Sequence, residues 1–285
     1  METTPLCLKH STILQPLFQS LALCLSEYSF TSRFLFRREN EIQISFDNSM
    51  VWLRGKKKNG TTYLMPTVDL RKIPAQILLE KLKEVDCFYP IPESWISSFN
   101  SDYFRIDYNR DDSDYLFKRE KIADYPGRNL SAKRNLVKQF LDSYTVRIIP
   151  YGKEHYEDGL LILKQWQNSI KGKEADSFAC KDGLQFAGEL GLLGYIIYID
   201  EQPAAFILGE VFQPHLFVIH FAKGLTQYKG IYPFLFKELA NRLSEREISC
   251  LNWEEDLGIE GLRQSKLSYQ PNTLASKFYV FLKPS

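Results

Sequence analysis

The 285-residue sequence has little net charge and no long apolar run, and each absence excludes a class of protein. Lys and Arg number 36 and Asp and Glu number 35, so the net charge gives no general attraction to nucleic acid or to a membrane surface. The longest apolar runs are too short to cross a bilayer, and we expect no transmembrane segment. The first residues lack the basic and apolar regions of a signal peptide. Any anion site must therefore be a local group of basic residues.

Cysteine and histidine are also sparse, and neither forms a recognisable pair or cluster in the sequence. The four His are dispersed, and the five cysteines are Cys7, Cys24, Cys87, Cys180 and Cys250. An odd number of scattered thiols with no CxxC pair is typical of free cysteines in a reducing cytoplasm. Neither residue type has the spacing of a metal site. The sequence therefore predicts a cytoplasmic protein without a metal centre.

The apolar periodicity predicts two successive sets of helices and strands, separated near residues 143–150. In the first half we predict helix Thr12–Glu27, strands Glu41–Phe46, Met50–Arg54 and Thr61–Met65, helix Pro74–Glu84, strand Tyr103–Tyr108 and helix Ala132–Leu141. In the second half we predict helix Tyr156–Ser169, strands Gly194–Ile199, Ala204–Val211 and His215–Ala222, helix Ile231–Ser244, strand Ile248–Trp253, helix Ile259–Tyr269 and strand Phe278–Leu282. This order indicates an α/β (α+β) protein of two domains, 1–143 and 144–285, each a mixed sheet flanked by helices. We expect the second domain to carry the functional site.

Three adjacent acids, Glu254, Glu255 and Asp256, follow the predicted strand Ile248–Trp253. A carboxylate at a strand end can accept a proton from a nucleophile during group transfer, or it can bind the ammonium of an aminoacyl group. The alternative is structural, because acids at a helix start stabilise the helix dipole and Asp256 has the position of an N-cap. We predict a catalytic role for at least one of the three.

Two bases, Arg263 and Lys266, lie about one helical turn apart in the predicted helix after the acids. A paired basic face can hold a phosphate group or a tRNA backbone. A solvated face, or salt bridges to Glu260, is the alternative for the same residues. The pair is a candidate site for an anionic donor.

A second basic group, Lys133 and Arg134 with Arg128 and Lys138, surrounds the start of the helix Ala132–Leu141. Basic residues at a helix start oppose the helix dipole, so helix stability does not explain them. Two interpretations remain open. The group either binds an anion, or it pairs with Asp111–Asp114 as an anchor between the domains.

The loop that begins at Lys223 leads from a strand into a helix through Lys229 and Gly230. Backbone N–H groups at such a helix start suit a phosphate group, although an ordinary strand–helix connection has the same pattern. His220, on the preceding strand, alternates in phase with the apolar residues Leu216 and Val218. It is therefore either a hydrogen-bonded core histidine or a catalytic residue.

Five blocks of the sequence, taken together, are similar to one protein family. They are YSFTSRFLFR at Tyr28–Arg37, DYLFKREKIADYPGRNLSAKRNLVKQF at Asp114–Phe140, the strand end VIHFAKG, the helix start QYKGIY, and NWEEDLGIEGLRQSKLSYQP. They resemble a bacterial family of uncharacterised proteins related to the C-terminal catalytic domain of phosphatidylglycerol lysyltransferases. The resemblance implies two tandem GNAT-like domains, the fold of acyl-CoA N-acyltransferases.

The resemblance also implies a transferase that moves an acyl or aminoacyl group from an activated donor to an amine or hydroxyl. In the lysyltransferases the donor is a charged tRNA and the acceptor is a lipid headgroup. Transfer from an acyl-CoA to an amine, and a catalytically silent tandem GNAT that binds a ligand or partner, are the alternatives. The acceptor is either a small polar molecule or a lipid headgroup, and a backbone N–H at a strand edge would polarise the carbonyl.

The sequence departs from the family pattern at three positions. The family has a Glu two residues after the strand histidine, where this chain has Ala222. An Arg is common in the family where Trp253 stands, and Gly230 lacks the second glycine of the usual coenzyme A pyrophosphate loop.

Overall fold

The protein, as a computed structural model, is described over residues 2–47, 50–169 and 176–284. The strands are β1 (Glu2–Pro5), β2 (Gln43–Asp47), β3 (Met50–Lys56), β4 (Thr62–Pro66), β5 (Cys87–Pro92), β6 (Phe104–Tyr108), β7 (Asp114–Lys118), β8 (Val146–Pro150), β9 (Leu193–Ile199), β10 (Gln202–Gln213), β11 (Leu216–Gly224), β12 (Cys250–Asn252), β13 (Thr273–Ala275) and β14 (Lys277–Leu282). The α-helices are α1 (Ser11–Leu21), α2 (Phe30–Leu35), α3 (Ala75–Lys81), α4 (Arg119–Asp124), α5 (Ser131–Ser143), α6 (Tyr156–Ser169), α7 (Ser177–Gln185), α8 (Ile231–Arg242) and α9 (Glu260–Leu267). Within the described ranges, no helix has the length and apolar character needed to cross a bilayer.

The chain forms two compact units, and neither is a single continuous segment. Unit 1 comprises Met1–Asp114, Glu255–Glu260 and Leu274–Ser285, and unit 2 comprises Tyr115–Glu254 and Gly261–Thr273. The sequence placed a boundary between residues 143 and 144, whereas the first unit gives way to the second at residues 114 and 115. The reason is strand pairing, because β7 joins the second sheet and β14 returns to the first.

Unit 1 is built on a seven-stranded sheet in the order β1-β2-β3-β4-β5-β14-β6. β4 and β5 are parallel and are connected through α3, while the other neighbouring strands are antiparallel. Its core includes the stacked rings of Trp52 and Phe88, whose centroids lie 5.7 Å apart. β14 is an interior strand of this sheet, so the last strand of the chain completes the unit formed by the first.

Unit 2 is built on a second seven-stranded sheet in the order β13-β7-β12-β11-β10-β9-β8. β11 and β12 are parallel and are connected through α8, as β4 and β5 are connected through α3 in unit 1. Helices α6 and α8 both contact β10 and β11, which accounts for the buried apolar run Ala204–Leu208. A charged side chain on these strands must therefore find partners inside the unit, because isolated burial of a charge is costly.

Strands β1, β5, β7, β8 and β13 lie outside the predicted elements, while the predicted helices and strands of the second half recur with shifts of a few residues at their ends. β5 has the sequence CFYPIP, and proline is rare in interior strands because it cannot donate a backbone hydrogen bond. Its residues are nevertheless all buried between β4 and β14. Burial on both faces, which the local pattern does not reveal, is what makes this segment a strand.

Candidate functional site

The parallel pairing of β11 and β12 covers three residue pairs, of which the last is Val218 with Asn252. β11 continues to Gly224, whereas β12 ends at Asn252. Two residues beyond the last pair, His220 Nδ1 lies 2.8 Å from Glu254 Oε1. The structure thus brings together one predicted histidine and one of the three predicted acids, at the point where the two strands stop pairing.

Strand β10 supplies a second carboxylate to the same imidazole. Glu210 is paired with Val218 across β10 and β11, two residues before His220. Since alternate residues of a strand share a face, Glu210 and His220 lie on the same side of the sheet. Glu210 Oε1 lies 3.0 Å from His220 Nε2. His220 is therefore held between two carboxylates, and we call Glu210, His220 and Glu254 the triad.

The triad carries charge in a nearly dry environment. The His220 side chain is fully buried, while the side chains of Glu210 and Glu254 are 13% and 14% exposed. Burial alone would lower the pKa of His220, but the hydrogen bonds and charges of Glu210 and Glu254 outweigh it and raise the pKa to about 9. At neutral pH the imidazole is a cation between two anions. The triad then has a net charge of −1 and suits a cationic group of a substrate.

The backbone of Glu254 is held in an unusual conformation by its neighbours. Its φ is +56°, in the left-handed region that non-glycine residues adopt at a cost of roughly 1–3 kcal/mol. Its N–H donates to Asn252 Oδ1 at 2.7 Å, and its carbonyl accepts from the Tyr115 N–H at 3.2 Å and from Lys266 Nζ at 3.2 Å. Lys266 Nζ also donates to the Trp253 carbonyl at 2.6 Å. These contacts fix the direction in which the Glu254 side chain leaves the strand.

The charge state of His220 should appear directly in a pH titration. A histidine whose pKa rises from 6.5 in the unfolded chain to about 9 in the folded protein adds stability that is complete below pH 6.5. That contribution, on the order of 3 kcal/mol, is lost as the pH rises through 9. We expect the NMR signals of His220 to titrate near pH 9, and Glu210→Gln to lower this value. His220→Gln identifies the signals, and a His220 titration near pH 6.5 would contradict the ionised triad.

The other two acids of the sequence motif have different partners, and both belong to unit 1. Lys277 Nζ on β14 lies 3.0 Å from Glu255 Oε2, 2.7 Å from Glu27 Oε2 and 2.6 Å from Asp114 Oδ1. We call these four residues the Lys277 cluster. The side chains of Lys277 and Asp114 are fully inaccessible to solvent.

Within the Lys277 cluster, the charged forms of Lys277 and Glu255 are favoured. Burial opposes the charge on Lys277, but the surrounding carboxylates raise its pKa well above the usual value. Burial also favours a neutral Glu255, yet the charges of Lys277 and Lys57 lower the pKa of that carboxyl. A base with a depressed pKa is a poor proton acceptor near pH 7. Glu255, predicted as a catalytic residue, therefore has the environment of a structural carboxylate.

Asp256 is fully buried and forms an ion pair with Arg110. Its Oδ1 accepts from the Gly258 N–H at 2.9 Å, and its carbonyl accepts from the Ile259 N–H at 2.9 Å. Gly258 adopts a φ of +71°, as the turn requires. Asp256 thus closes the turn ahead of α9, which is close to the capping role considered from the sequence.

The basic residues predicted to bind a donor are dispersed over unit 2. Lys223 is buried, with Nζ 2.8 Å from Asp176 Oδ2 and 3.8 Å from the centre of the Trp166 ring. Arg263 lies half-buried on α9, and Lys229 is exposed in the turn before α8. Lys266, as described above, binds the carbonyls of Trp253 and Glu254.

Gly230 precedes the first residue of α8 with a φ of +96°. A Cβ atom at this position would lie 2.5 Å from the Leu136 carbonyl oxygen on α5. Close packing of α8 on α5 therefore requires glycine here, whether or not the turn binds phosphate.

Lys133 and Arg134 lie on α5. Lys133 Nζ donates to Ser268 Oγ at 2.8 Å and lies 3.8 Å from the centre of the Tyr269 ring. Arg134 donates to the carbonyls of Tyr125 and, at 2.8 Å, of Gly127. Both side chains are thus fixed by neutral groups of unit 2.

Sequence reasoning missed Glu210 and Lys277. Glu210 is the only charged residue in the strand β10, but regular register from the turn near residues 214–215 would pair it with Ile219, on the face opposite His220. A bulge between Val211 and Gln213 shifts the register by one residue and places Glu210 opposite Val218, on the face of His220. No local pattern in the sequence indicates the role of Lys277. Its partners Glu27 and Asp114 are far away in sequence, so only the pairing of β14 reveals the cluster.

Trp253 occupies a position where the resembling family commonly has Arg. It is buried in an aromatic cluster, with ring centroids 4.0 Å from Phe236, 4.3 Å from Phe117 and 5.0 Å from Tyr269. Packing therefore explains Trp253, which is adjacent to the triad residue Glu254.

Comparisons with known proteins agree with this architecture. The family described as phosphatidylglycerol lysyltransferase, C-terminal, matches residues 18–281. None of the curated proteins matches the sequence.

Three solved structures are similar over nearly the whole chain. A conserved protein of unknown function from Bacteroides thetaiotaomicron has a TM-score of 0.87 at 24% identity, covering 99% of this chain and 100% of that protein. L-PGS from Bacillus licheniformis has a TM-score of 0.66 at 15% identity, covering 96% of this chain and 92% of that protein. FemX has a TM-score of 0.62 at 8% identity, covering 99% of this chain and 98% of that protein. These likenesses confirm the predicted fold, two tandem GNAT-like domains with mixed sheets.

Proposed function

This chain belongs to the phosphatidylglycerol lysyltransferase C-terminal family, and we propose that it transfers an aminoacyl group from an aminoacyl-tRNA to an amine or hydroxyl acceptor. The observation that carries the proposal is the triad at the end of the β11–β12 pairing. It combines a carboxylate at a strand end with a buried cation that orients it, and the Glu210 carboxylate on the other side of that cation offsets its charge. Such an arrangement suits proton transfer at an acyl carbonyl.

In the proposed reaction the acceptor attacks the carbonyl carbon of the aminoacyl ester. The Glu254 carboxylate takes the proton from the attacking amine or hydroxyl. The bond between the carbonyl carbon and the ribose oxygen then breaks, and Glu254 returns the proton to that oxygen. The new amide or ester and the free tRNA hydroxyl account for every atom, and no external oxidant or cofactor is needed.

His220 and Glu210 act as positioning residues in this scheme. The cationic imidazole binds Glu254 Oε1 through Nδ1 and is itself anchored by Glu210 through Nε2. This chain has Ala222 where the family has a Glu. Here Glu210 supplies the second carboxylate beside His220. Loss of either partner would loosen Glu254, and such misplacement is costly to a rate that depends on alignment.

The net charge of the triad favours an aminoacyl donor over an acyl-CoA. An aminoacyl group carries an ammonium next to the reacting carbonyl, and a site of charge −1 attracts it. The diphosphate of coenzyme A is anionic and gains nothing from the same charge. FemX and L-PGS share the fold of this chain and support the proposal only at that level.

A donor screen tests the proposal. The purified protein is incubated with pooled aminoacyl-tRNAs or with acyl-CoAs, in the presence of ethanolamine, which offers both an amine and a hydroxyl. We expect faster loss of aminoacyl-tRNA with protein than with buffer, and recovery of aminoacyl-ethanolamine. His220→Gln should slow this reaction. If the protein turns over acyl-CoA and not aminoacyl-tRNA, the donor is an acyl-CoA and the proposal is wrong. If it turns over neither donor, a ligand-binding protein is favoured.

A further inference from the structure

Residues 118–138 carry a large local excess of positive charge. The segment contains seven basic residues and two acidic residues, a net charge of +5 in a chain whose total is +1. It forms the end of β7, α4 and most of α5 in unit 2. The proposed proton-transfer scheme makes no use of these charges.

The structure arranges several of these residues in spatial order. Three of them contact alternate positions of segment 268–272: the Lys118 backbone N–H donates to Asn272 Oδ1 at 3.0 Å, Lys121 Nζ donates to the Gln270 carbonyl at 2.7 Å, and Lys133 Nζ donates to Ser268 Oγ at 2.8 Å. Arg134 follows Lys133 on α5, and Lys138 lies one helical turn further along the face of Arg134. We call Lys118, Lys121, Lys133, Arg134 and Lys138 the basic stripe.

The charges of the basic stripe are not neutralised by acids. Lys121, Lys133 and Arg134 donate to carbonyl or hydroxyl oxygens. Among the residues that the structure describes, none forms an ion pair with a member of the stripe, and the nearby acids Asp124 and Asp142 line one surface concavity with Arg134 and Lys138. Burial, and then the like charge of Lys118, lower the pKa of Lys121. Cations that repel one another and lack acidic partners are the electrostatic footprint of a surface for a polyanion.

We propose that the basic stripe binds the phosphate backbone of the tRNA that carries the aminoacyl group. The identity of this partner rests on the proposed function. Lys121 and Lys133 are held at fixed positions by their contacts, which suits a row of phosphates at regular spacing. The apolar side chains Ile122, Leu130 and Val137 are buried, and Leu141, which is 52% exposed, lies one turn beyond Lys138 on α5. One exposed leucine beside the stripe is less than the apolar face with which an amphipathic helix binds lipid. A nucleic acid therefore fits the stripe better than an anionic membrane.

The test measures binding of uncharged tRNA by fluorescence anisotropy over a range of salt concentrations. Lys118→Gln and Lys138→Gln are combined, because both residues are exposed and no folded contact of either side chain is lost. We expect the double variant to bind about 30-fold more weakly at about 0.15 M salt, since each lost phosphate contact removes about one unit from the salt slope. The matched control combines Lys164→Gln and Lys181→Gln, two exposed lysines of unit 2 outside the stripe.

Several outcomes would overturn the inference. Wild-type protein could fail to bind tRNA, the stripe variant could bind as tightly as wild type, or the control pair could lose as much affinity as the stripe pair. Stripe-dependent binding to phosphatidylglycerol vesicles without binding to tRNA would assign the surface to a membrane instead. The assay requires no aminoacyl transfer, so it is separate from the donor screen. If tRNA binds through the stripe and no aminoacyl group is transferred, the stripe stands and the proposed reaction fails.

Discussion

Replacing Glu254 by Gln is expected to lower the rate constant for aminoacyl transfer by about 10²–10⁴-fold. Gln keeps the shape of the side chain and an oxygen that can accept from His220 Nδ1. It cannot take up a proton, and it removes one of the two negative charges that surround the imidazole. The loss should therefore fall mainly on the chemical step. Single-turnover measurements, with the enzyme in excess over aminoacyl-tRNA and above the dissociation constant of their complex, separate this step from donor binding.

Glu245→Gln is the matched control for Glu254→Gln, because Glu245 is an exposed carboxylate after α8. We expect its rate constant to equal that of the wild type. Glu245→Gln should retain the wild-type free energy of unfolding to within about 1 kcal/mol. Glu254→Gln should lower it, because it removes one of the two carboxylates that stabilise the buried His220 cation, so transfer rates are compared on folded protein. If Glu254→Gln transfers aminoacyl groups within threefold of the wild type, Glu254 is not the proton acceptor, and the mechanism fails even if the protein is a transferase.

Replacing Lys277 by Met is expected to lower the free energy of unfolding by about 3–5 kcal/mol. The reason is that three carboxylates, those of Glu27, Asp114 and Glu255, lose the cation that they share. Met has a similar length but no charge, and the side chains of Glu27 and Asp114 are almost completely inaccessible to solvent. Urea unfolding followed by circular dichroism, at a pH near 7, measures the loss.

Lys56→Met is the control for Lys277→Met, because Lys56 forms an exposed ion pair with Glu41, 3.8 Å apart. Such pairs contribute about 0–1 kcal/mol, and we expect a correspondingly small change. Adding Glu27→Gln to Lys277→Met should restore part of the lost stability, since it removes one uncompensated charge. A loss below about 1 kcal/mol for Lys277→Met would show that the cluster does not hold unit 1 together.

The sequence predicts the fold, and it names two of the three triad residues as candidates. Apolar periodicity located most strands, and the resemblance supplied their arrangement in two tandem domains. His220 and Glu254 were both identified, since a polar residue in an apolar strand and an acid at a strand end are local signals. Glu210 was missed because its role depends on the pairing of β10 with β11. Local patterns identify such residues, but only the register shows which of them meet.

The three adjacent acids show that the local sequence does not predict the partner of each side chain. Glu254 binds His220, Glu255 joins the Lys277 cluster, and Asp256 pairs with Arg110. Adjacent residues along an extended segment point in different directions, so sequence proximity does not predict a shared site. The motif from which we predict at least one catalytic residue consists of three carboxylates with three different partners.

The return of β14 to the first sheet has a consequence for how this protein is made. During synthesis on the ribosome, residues up to Asp114 emerge long before Lys277, so Glu27 and Asp114 meet Lys277 only after the intervening residues of unit 2 have been made. The sheet of unit 1 cannot close between β5 and β6 until the same moment. The usual order, in which an N-terminal domain folds first, therefore does not apply. For the same reason a fragment that stops at residue 143 lacks an interior strand, and the two halves cannot be produced as separate proteins by dividing the gene there.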